Sequence, residues 1–303
     1  MPKLQILSKN AVEYRRLIEV VHLPHLEILS APGLDAEILF GEPNLIRDEL
    51  ASFPALAWVQ ATWAGVEPLL DPALRRDYIL TNARGVFGPL MAEFVFGYLL
   101  LHERKILQRL AAQKEQRWDP TLTGTLRGKT IGLLGVGSIG AELARTAKFF
   151  GMSVRGFTRS SESCTDVDEY FHADLPAFVS VLDYFISVLP NTASTRHIIA
   201  AQVLNALPNH AIFINVGRGN AVEETALVDA LETGTIAGSV LDVFEQEPLP
   251  AGHPLWSAPN TFITSHTSAP SFPADIVQLF IKNYRFYVEG KPLKFMVDFE
   301  AGY

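Results

Sequence analysis

Three side chains of different chemistry follow one another across fewer than 50 residues. Arg218 lies in Asn215-Val216-Gly217-Arg218-Gly219, Glu247 in Glu245-Gln246-Glu247-Pro248-Leu249-Pro250, and His266 in Thr264-Ser265-His266-Thr267. A guanidinium, a carboxylate and an imidazole suit proton transfer to a carbonyl that the arginine holds in place. Each follows an apolar stretch that reads as a strand, or sits on the loop after it. Strand ends of α/β domains are where ligands usually bind. Singly, His266 has the ordinary reading of a partly buried histidine and Glu247 that of a solvated loop charge. Arg218 is harder to set aside, because its glycine neighbours let backbone and ligand approach closely.

Strands and helices must carry these groups. Apolar runs alternate with helical patterns at 3–7, 10–20, 26–30, 36–39, 45–52, 56–60 and 78–81, which suggests a small parallel sheet with crossover helices. A long, nearly all-apolar helix is expected from about Pro89 to Gln113, with Pro89 in its first turn and Glu93 near its positive end. Such a helix at a domain junction suits a dimer contact. Gln113 to Gly128 reads as a loop. A second βα series follows, with strands near 130–135, 153–158, 184–189, 211–215, 236–241 and 261–264. Helices fit near 138–150, 174–180, 200–206 and 223–232, a doubly wound pattern. A last helix, about 273–289, should return to the first domain.

The totals fit this organisation. A chain of 303 residues, 48% apolar, can bury two cores, and no uncharged stretch is long enough to span a membrane. The start at Lys3-Leu4-Gln5-Ile6-Leu7 is strand-like and lacks the pattern of a secretory leader. Cys164 is the one cysteine, so there is neither an internal disulfide nor a cysteine metal knuckle, and no metal is expected. The reading is cytoplasmic. A net charge of −8 argues against nucleic-acid and acidic-membrane partners. It does not argue against a small anion beside a local arginine.

Gly135-Val136-Gly137-Ser138-Ile139-Gly140 follows a strand and opens a helix. The glycines permit a tight turn, close approach of a pyrophosphate and close helix–strand packing, and the helix N-terminus favours phosphate. An NAD site would place Asp or Glu about 20 residues on, to hold the ribose 2′-hydroxyl. Here that strand end reads Thr158-Arg159-Ser160-Ser161. An arginine among hydroxyls suits a 2′-phosphate, so NADP(H) is the preferred cofactor and NAD(H) the alternative. The competing reading of Arg159 is a solvated loop residue.

At this point the sequence resembles the D-isomer-specific 2-hydroxyacid dehydrogenases. The matching segments are Gly135–Gly140, Val188-Leu189-Pro190-Asn191-Thr192, Asn215–Gly219, Leu241-Asp242-Val243-Phe244, Glu247-Pro248-Leu249-Pro250, His253-Pro254-Leu255-Trp256, Pro259-Asn260 and His266. Their joint order spans the whole second domain and is highly specific. Thr62-Trp63-Ala64-Gly65-Val66 and Gly88-Pro89-Leu90-Met91-Ala92-Glu93 match more loosely. The ending Val297-Asp298-Phe299-Glu300-Ala301-Gly302-Tyr303 is similar to the glyoxylate/hydroxypyruvate reductase branch, which commonly favours NADPH.

The resemblance implies an α/β fold of two Rossmann-like domains with parallel sheets and an active site in the cleft between them. Residues 1–91 with 274–303 would form the substrate-binding domain and 92–273 the dinucleotide-binding domain. It implies a homodimer joined partly through the junction helix. It makes His266 the general acid for 2-keto acid reduction, Glu247 its orienter, and Arg218 the clamp on the substrate carboxylate. Glu245 is the rival carboxylate, and Pro248-Leu249-Pro250 selects Glu247. Asp242 is expected near the nicotinamide carboxamide, with a turn or cap aspartate as the competing reading. Leu189 and Pro190 would line the adenosine side, and Val216 and Gly217 would approach the nicotinamide. Ala64 and Gly65 would offer N–H groups to the substrate carboxylate. Trp63 departs from the usual small residue and either narrows the pocket or packs against its own domain. Trp256, His253, His22, His25, His102, His172, His197 and His210 read as structural or surface.

The expected activity is NADPH-preferring reduction of a small 2-keto acid such as glyoxylate or hydroxypyruvate. The alternatives are another 2-hydroxyacid dehydrogenase, for D-lactate, D-3-phosphoglycerate or a bulkier 2-keto acid, and a non-catalytic dinucleotide sensor like the corepressors of this fold. An ending at Tyr303, with no added regulatory domain, points away from the larger phosphoglycerate enzymes.

Overall fold

The computed structural model describes residues 1–30, 33–159 and 161–302. The chain divides into two compact units, Met1–Phe87 with Pro270–Tyr303, and Gly88–Ala269.

The first unit begins with β1 (Lys3–Leu7), α1 (Ala11–Glu19), β2 (Glu27–Ile28), β3 (Ile38–Gly41), α2 (Pro43–Glu49), β4 (Trp58–Ala61) and β5 (Ile79–Thr81). Its strands are all parallel, in the order β2-β1-β3-β4-β5. This is the flavodoxin-like doubly wound order, whose switch point lies between β1 and β3. The runs Ile38–Gly41 and Trp58–Ala61 are buried on both faces, which explains why they read as continuous apolar stretches rather than alternations.

The second unit starts with α3 (Gly88–Glu103) and α4 (Ile106–Lys114), where one continuous helix was expected. Lys105 adopts the left-handed conformation, φ 50°, and separates the two. Nothing in Arg104-Lys105 itself breaks a helix, since both are good helix formers. Tertiary contacts account for the break: the buried Glu103 accepts a hydrogen bond from Tyr184 Oη and its carbonyl one from Gly124 N at 2.9 Å, fixing the end of α3 to the sheet.

The sheet of this unit comprises β6 (Thr130–Leu134), β7 (Ser153–Phe157), β8 (Glu169–Phe171), β9 (Tyr184–Ser187), β10 (Ile212–Asn215), β11 (Gly238–Leu241) and β12 (Thr261–Ile263). Helices α5 (Ser138–Phe149), α6 (Leu175–Val179), α7 (Ala201–Ala206) and α8 (Glu224–Glu232) connect them. The order β12-β11-β10-β9-β6-β7-β8 is wholly parallel, with the switch point between β6 and β9. One face of the sheet packs on α3 and α5 through Val95, Leu99, Leu143, Ala144 and Ala147. The other packs on α6, α7 and α8 around Phe178, Phe185 and Phe213. The short β8 is an addition to the sequence reading; its exposed and half-buried residues give no apolar signal.

The final helix, α9 (Pro273–Val288), opens on proline, which suits a first helical turn. It belongs to the first unit. Phe280 stacks on Trp58, ring centroids 5.3 Å apart, and meets Phe40 edge-on at 5.1 Å. Asn283, fully buried, donates to Gln60 Oε1 at 3.0 Å and to Lys294 O at 3.1 Å and accepts from Lys294 N at 2.8 Å. Thr81 Oγ1 also donates to Gln60 Oε1, at 2.9 Å, and accepts from Trp58 Nε1 at 2.8 Å, so the helix is wired into the sheet. Among the described residues no helix is long and apolar enough to cross a membrane. Asn283→Ala should leave the Lys294 N–H and carbonyl without their side-chain partner, Gln60 Oε1 keeping Thr81 Oγ1, and cost about 1–3 kcal/mol. Urea denaturation should show a lower midpoint for the first unit; an unchanged transition would refute the wiring.

Candidate active site

Gly135 to Gly140 lies at the sheet's switch point, beyond the end of β6. Gly140 is buried in α5, and a Cβ there would come 2.3 Å from Gly135 O, so only glycine lets this helix start against the strand. No side chain caps the start of α5, and its first-turn N–H groups have no intrahelical acceptor. Gly137 and Ser138 are exposed, Val136 and Ile139 half-buried. Leu189 and Pro190 follow β9 on the other side of the switch, half-buried and exposed respectively. Thr158 continues β7, its N–H donating to Phe171 O at 3.0 Å. Arg159 is exposed, and Ser160 lies outside the described residues.

Arg218 sits in a loop that Asn215 shapes. The Asn215 side chain accepts from Gly217 N at 3.2 Å and donates to Arg218 O at 3.1 Å. That Asn-led turn was not assigned a role from sequence, although an Asn opening a Gly-containing turn is a recognisable signal. Arg218 Nη1 donates to Gly217 O at 2.9 Å. Val216 and Gly217 are buried. A Cβ on Gly219 would fall 1.8 Å from Phe244 C, so this glycine lets the arginine loop lie directly on the backbone that leads to Glu247.

Asp242 directly follows β11 and is fully buried. Its carboxylate accepts from Thr264 Oγ1 at 2.6 Å, Thr267 N at 2.8 Å and Ser268 N at 3.0 Å, while its carbonyl accepts from His266 N at 2.8 Å. This is the turn-aspartate arrangement. The side chain is enclosed within the protein and holds the loop that carries His266. His266 has φ 55°, an uncommon backbone conformation for a non-glycine residue and one that recurs at functional sites.

The loop brings His266 Nδ1 to 2.8 Å from Glu247 Oε2. The other carboxylate oxygen accepts from Phe244 N at 3.0 Å. Nδ1–H must donate to the carboxylate, so any transferable proton resides on Nε2, which has no partner among the described residues. The Glu247 hydrogen bond is the main force holding the His266 pKa above its ordinary value; the Glu247 and Asp242 charges assist, and burial and Arg218 oppose. Burial raises the Glu247 carboxyl, but the hydrogen bonds from His266 and Phe244 N, with the charges of His266 and Arg218, leave it lowered. Arg218 thus acts electrostatically on both partners. Beside them is a cavity of about 400 Å³ lined by Phe244, Leu249, Trp256, Ile263 and Ser265 as well as the pair. Trp256, read as structural from sequence, is one of its walls.

Glu245 is occupied elsewhere. It accepts from Arg196 at 2.9 Å and contacts His197 Nε2 at 3.0 Å, while its N–H donates to Glu224 Oε1 at 2.8 Å. In the first unit, Trp63 is 40% exposed, and Ala64 and Gly65 are half-buried. Asn82 Nδ2 donates to Ala64 O and Ala83 N to Trp63 O, each at 2.9 Å. The N–H groups of Ala64 and Gly65 have no partner among the described residues. No cluster of three metal-ligating side chains occurs among the described residues.

Residues 96–268 match the family model described as D-isomer specific 2-hydroxyacid dehydrogenase, NAD binding domain. The chain belongs to this family. Glyoxylate/hydroxypyruvate reductase A of Salmonella newport is 31% identical over 263 residues, 84% of each chain. A D-isomer specific 2-hydroxyacid dehydrogenase family protein of Aeromonas salmonicida, of known crystal structure, is 44% identical with a TM-score of 0.92, over 98% of this chain and 99% of that one. An NADPH-dependent glyoxylate/hydroxypyruvate reductase of Sinorhizobium meliloti, crystallised with NADP and sulfate, is 27% identical with a TM-score of 0.86, over 100% of both.

Glu247→Gln removes the main cause of the raised His266 pKa. The midpoint of the His266 ring-proton shifts, followed by NMR, should move to lower pH. A midpoint that stays in place would mean the pair does not set that pKa.

Proposed function

We propose that this chain is an NADPH-preferring reductase of small 2-keto acids, of the glyoxylate and hydroxypyruvate class. The His266–Glu247 contact at 2.8 Å, with Nε2 left available, carries the reading. It supplies an oriented acid near neutral pH, and a family of 2-hydroxyacid dehydrogenases supplies the reaction in which such an acid is used. The relatives named glyoxylate/hydroxypyruvate reductase support the substrate class.

The residues at the switch point fit a dinucleotide. Gly140 lets α5 start close against Gly135, Gly137 faces open space, and the uncapped α5 can receive a pyrophosphate. A bound nicotinamide cofactor would supply the hydride. Thr158, Arg159 and Ser160 would hold the 2′-phosphate, Leu189 and Pro190 the adenosine side, and Val216 and Gly217 the nicotinamide side. Arg218 would fix the substrate carboxylate and polarise its carbonyl, a task for a planar fork rather than a lysine. Ala64 and Gly65 would add N–H donors to that carboxylate, and Trp63 would limit the space at C3. His266 Nε2–H would protonate the carbonyl oxygen as it becomes an alkoxide, while Glu247 stabilises the imidazolium beforehand. Asp242 would act through the loop it holds.

The protein is placed in the cytoplasm, where a lone cysteine stays reduced, and as a homodimer. On α4 and the segment after it, Ile106, Leu107 and Leu110 are about half exposed, and Trp118 and Leu122 are 91% and 88% exposed. An apolar group of this kind suits burial by a second copy. The double variant Trp118→Ser, Leu122→Ser should elute with the mass of a monomer in light scattering; a wild-type monomer would dismiss this part of the proposal.

The decisive experiment is steady-state turnover of a 2-keto acid panel with NADPH and NADH. Glyoxylate and hydroxypyruvate should turn over with a kcat/KM favouring NADPH. His266→Gln should lower kcat by about 10²–10⁴-fold, the usual worth of general acid catalysis, with NADPH affinity kept. Cofactor binding without turnover of any 2-keto acid would reject the enzyme reading.

A further inference from the structure

The segment expected to receive the 2′-phosphate also carries a carboxylate, Glu162, four residues past Thr158. A carboxylate there repels a phosphate and suits a ribose hydroxyl instead. In the structure Glu162 is bound by His172, which follows β8. The pairing of Phe157 with Phe171 extends to Thr158 N and Phe171 O, and so delivers His172 alongside Thr158. The imidazole spans the loop: Nδ1 is 2.8 Å from Thr158 O and Nε2 is 2.6 Å from Glu162 Oε1. A carbonyl and an ionised carboxylate only accept hydrogen bonds, so both contacts are hydrogen bonds together only when the ring is protonated and donates from both nitrogens. Consistent with this, the Glu162 hydrogen bond, then the Thr158 carbonyl, holds the His172 pKa above its ordinary value against slight desolvation. The other charged groups on the strands and turns meeting here are Arg155 and Glu169, paired at 2.8 Å, Asp168, paired with Lys148 at 2.5 Å, Asp166, Asp174, which caps α6, and Arg159.

We propose that His172 is a positioning residue for cofactor choice: it binds Glu162, cancels its charge and ties it to Thr158, favouring the 2′-phosphorylated dinucleotide. This rests on the NADPH reading above. Once His172 loses its proton the bridge loses a donor, and the freed Glu162 opposes the 2′-phosphate while remaining able to accept from a 2′-hydroxyl. Both side chains are partly exposed, so solvent screening limits the effect to about three- to tenfold in affinity.

The test is KM for NADPH and for NADH between about pH 6 and pH 9, in the wild type, His172→Gln, Glu162→Gln and the double variant. The KM ratio, NADPH over NADH, should rise about three- to tenfold with pH in the wild type. In His172→Gln it should be high at every pH. In Glu162→Gln and in the double variant it should stay low and flat, the second substitution rescuing the first. The phosphate's own ionisation near pH 6 acts in all four proteins and cancels against Glu162→Gln. A His172→Gln variant that raises both KM values alike, or that Glu162→Gln fails to rescue, overturns the inference while leaving NADPH preference intact. A wild type that prefers NADH at every pH, unchanged by Glu162→Gln, overturns the cofactor reading with it.

Discussion

The buried carboxylate of Asp242 is the constraint around which the second unit's reactive loop is built. An ionised group with no solvent contact is tolerated only where hydrogen bonds replace water. Thr264, Thr267 and Ser268 supply them, and all three belong to the turn that carries His266. The backbone at His266 is held in a left-handed conformation by that same turn, with its N–H on the Asp242 carbonyl. From that backbone the imidazole meets Glu247.

Close backbone approach does the corresponding work on the other side. Gly219 lies so near Phe244 that no side chain fits between them. The loops after β10 and β11 therefore share one surface, and Phe244 N–H is free to hold the second oxygen of Glu247. Glu245, two residues away, ties this surface to Arg196, His197 and Glu224. Two neighbouring carboxylates thus have separate duties, one anchoring the loop and the other polarising an imidazole.

Much of this was legible in the sequence because it rests on local rules. Glycine spacing marked the turn at Gly135, and apolar runs marked the central strands of both parallel sheets. What stayed hidden depends on partners distant in sequence or on backbone groups. Nothing in Arg104-Lys105 announces a helix break; it follows from Tyr184 reaching Glu103 across 81 positions. Asp242 was visible as a conspicuous acid at a strand end, but its partners include two backbone N–H groups that no residue pattern displays. β8 was missed because three mostly polar or half-buried residues carry no period. His172 looked like a surface histidine because Glu162 and Thr158 come to it only once β7 and β8 are paired.

The wiring of Asn283 to Gln60 spans 223 positions. During synthesis the first sheet emerges early yet lacks the helix that covers it until the chain has been made past Pro273. At about 5–20 residues per second, that is a wait of about 10–45 s. Both hydrophobic cores of the Gly88–Ala269 unit are built from its own residues, so it can pack them in that interval. The sheet made early is therefore completed after the unit that follows it, and in the meantime Phe40 and Trp58 wait without Phe280, an apolar face open to a chaperone.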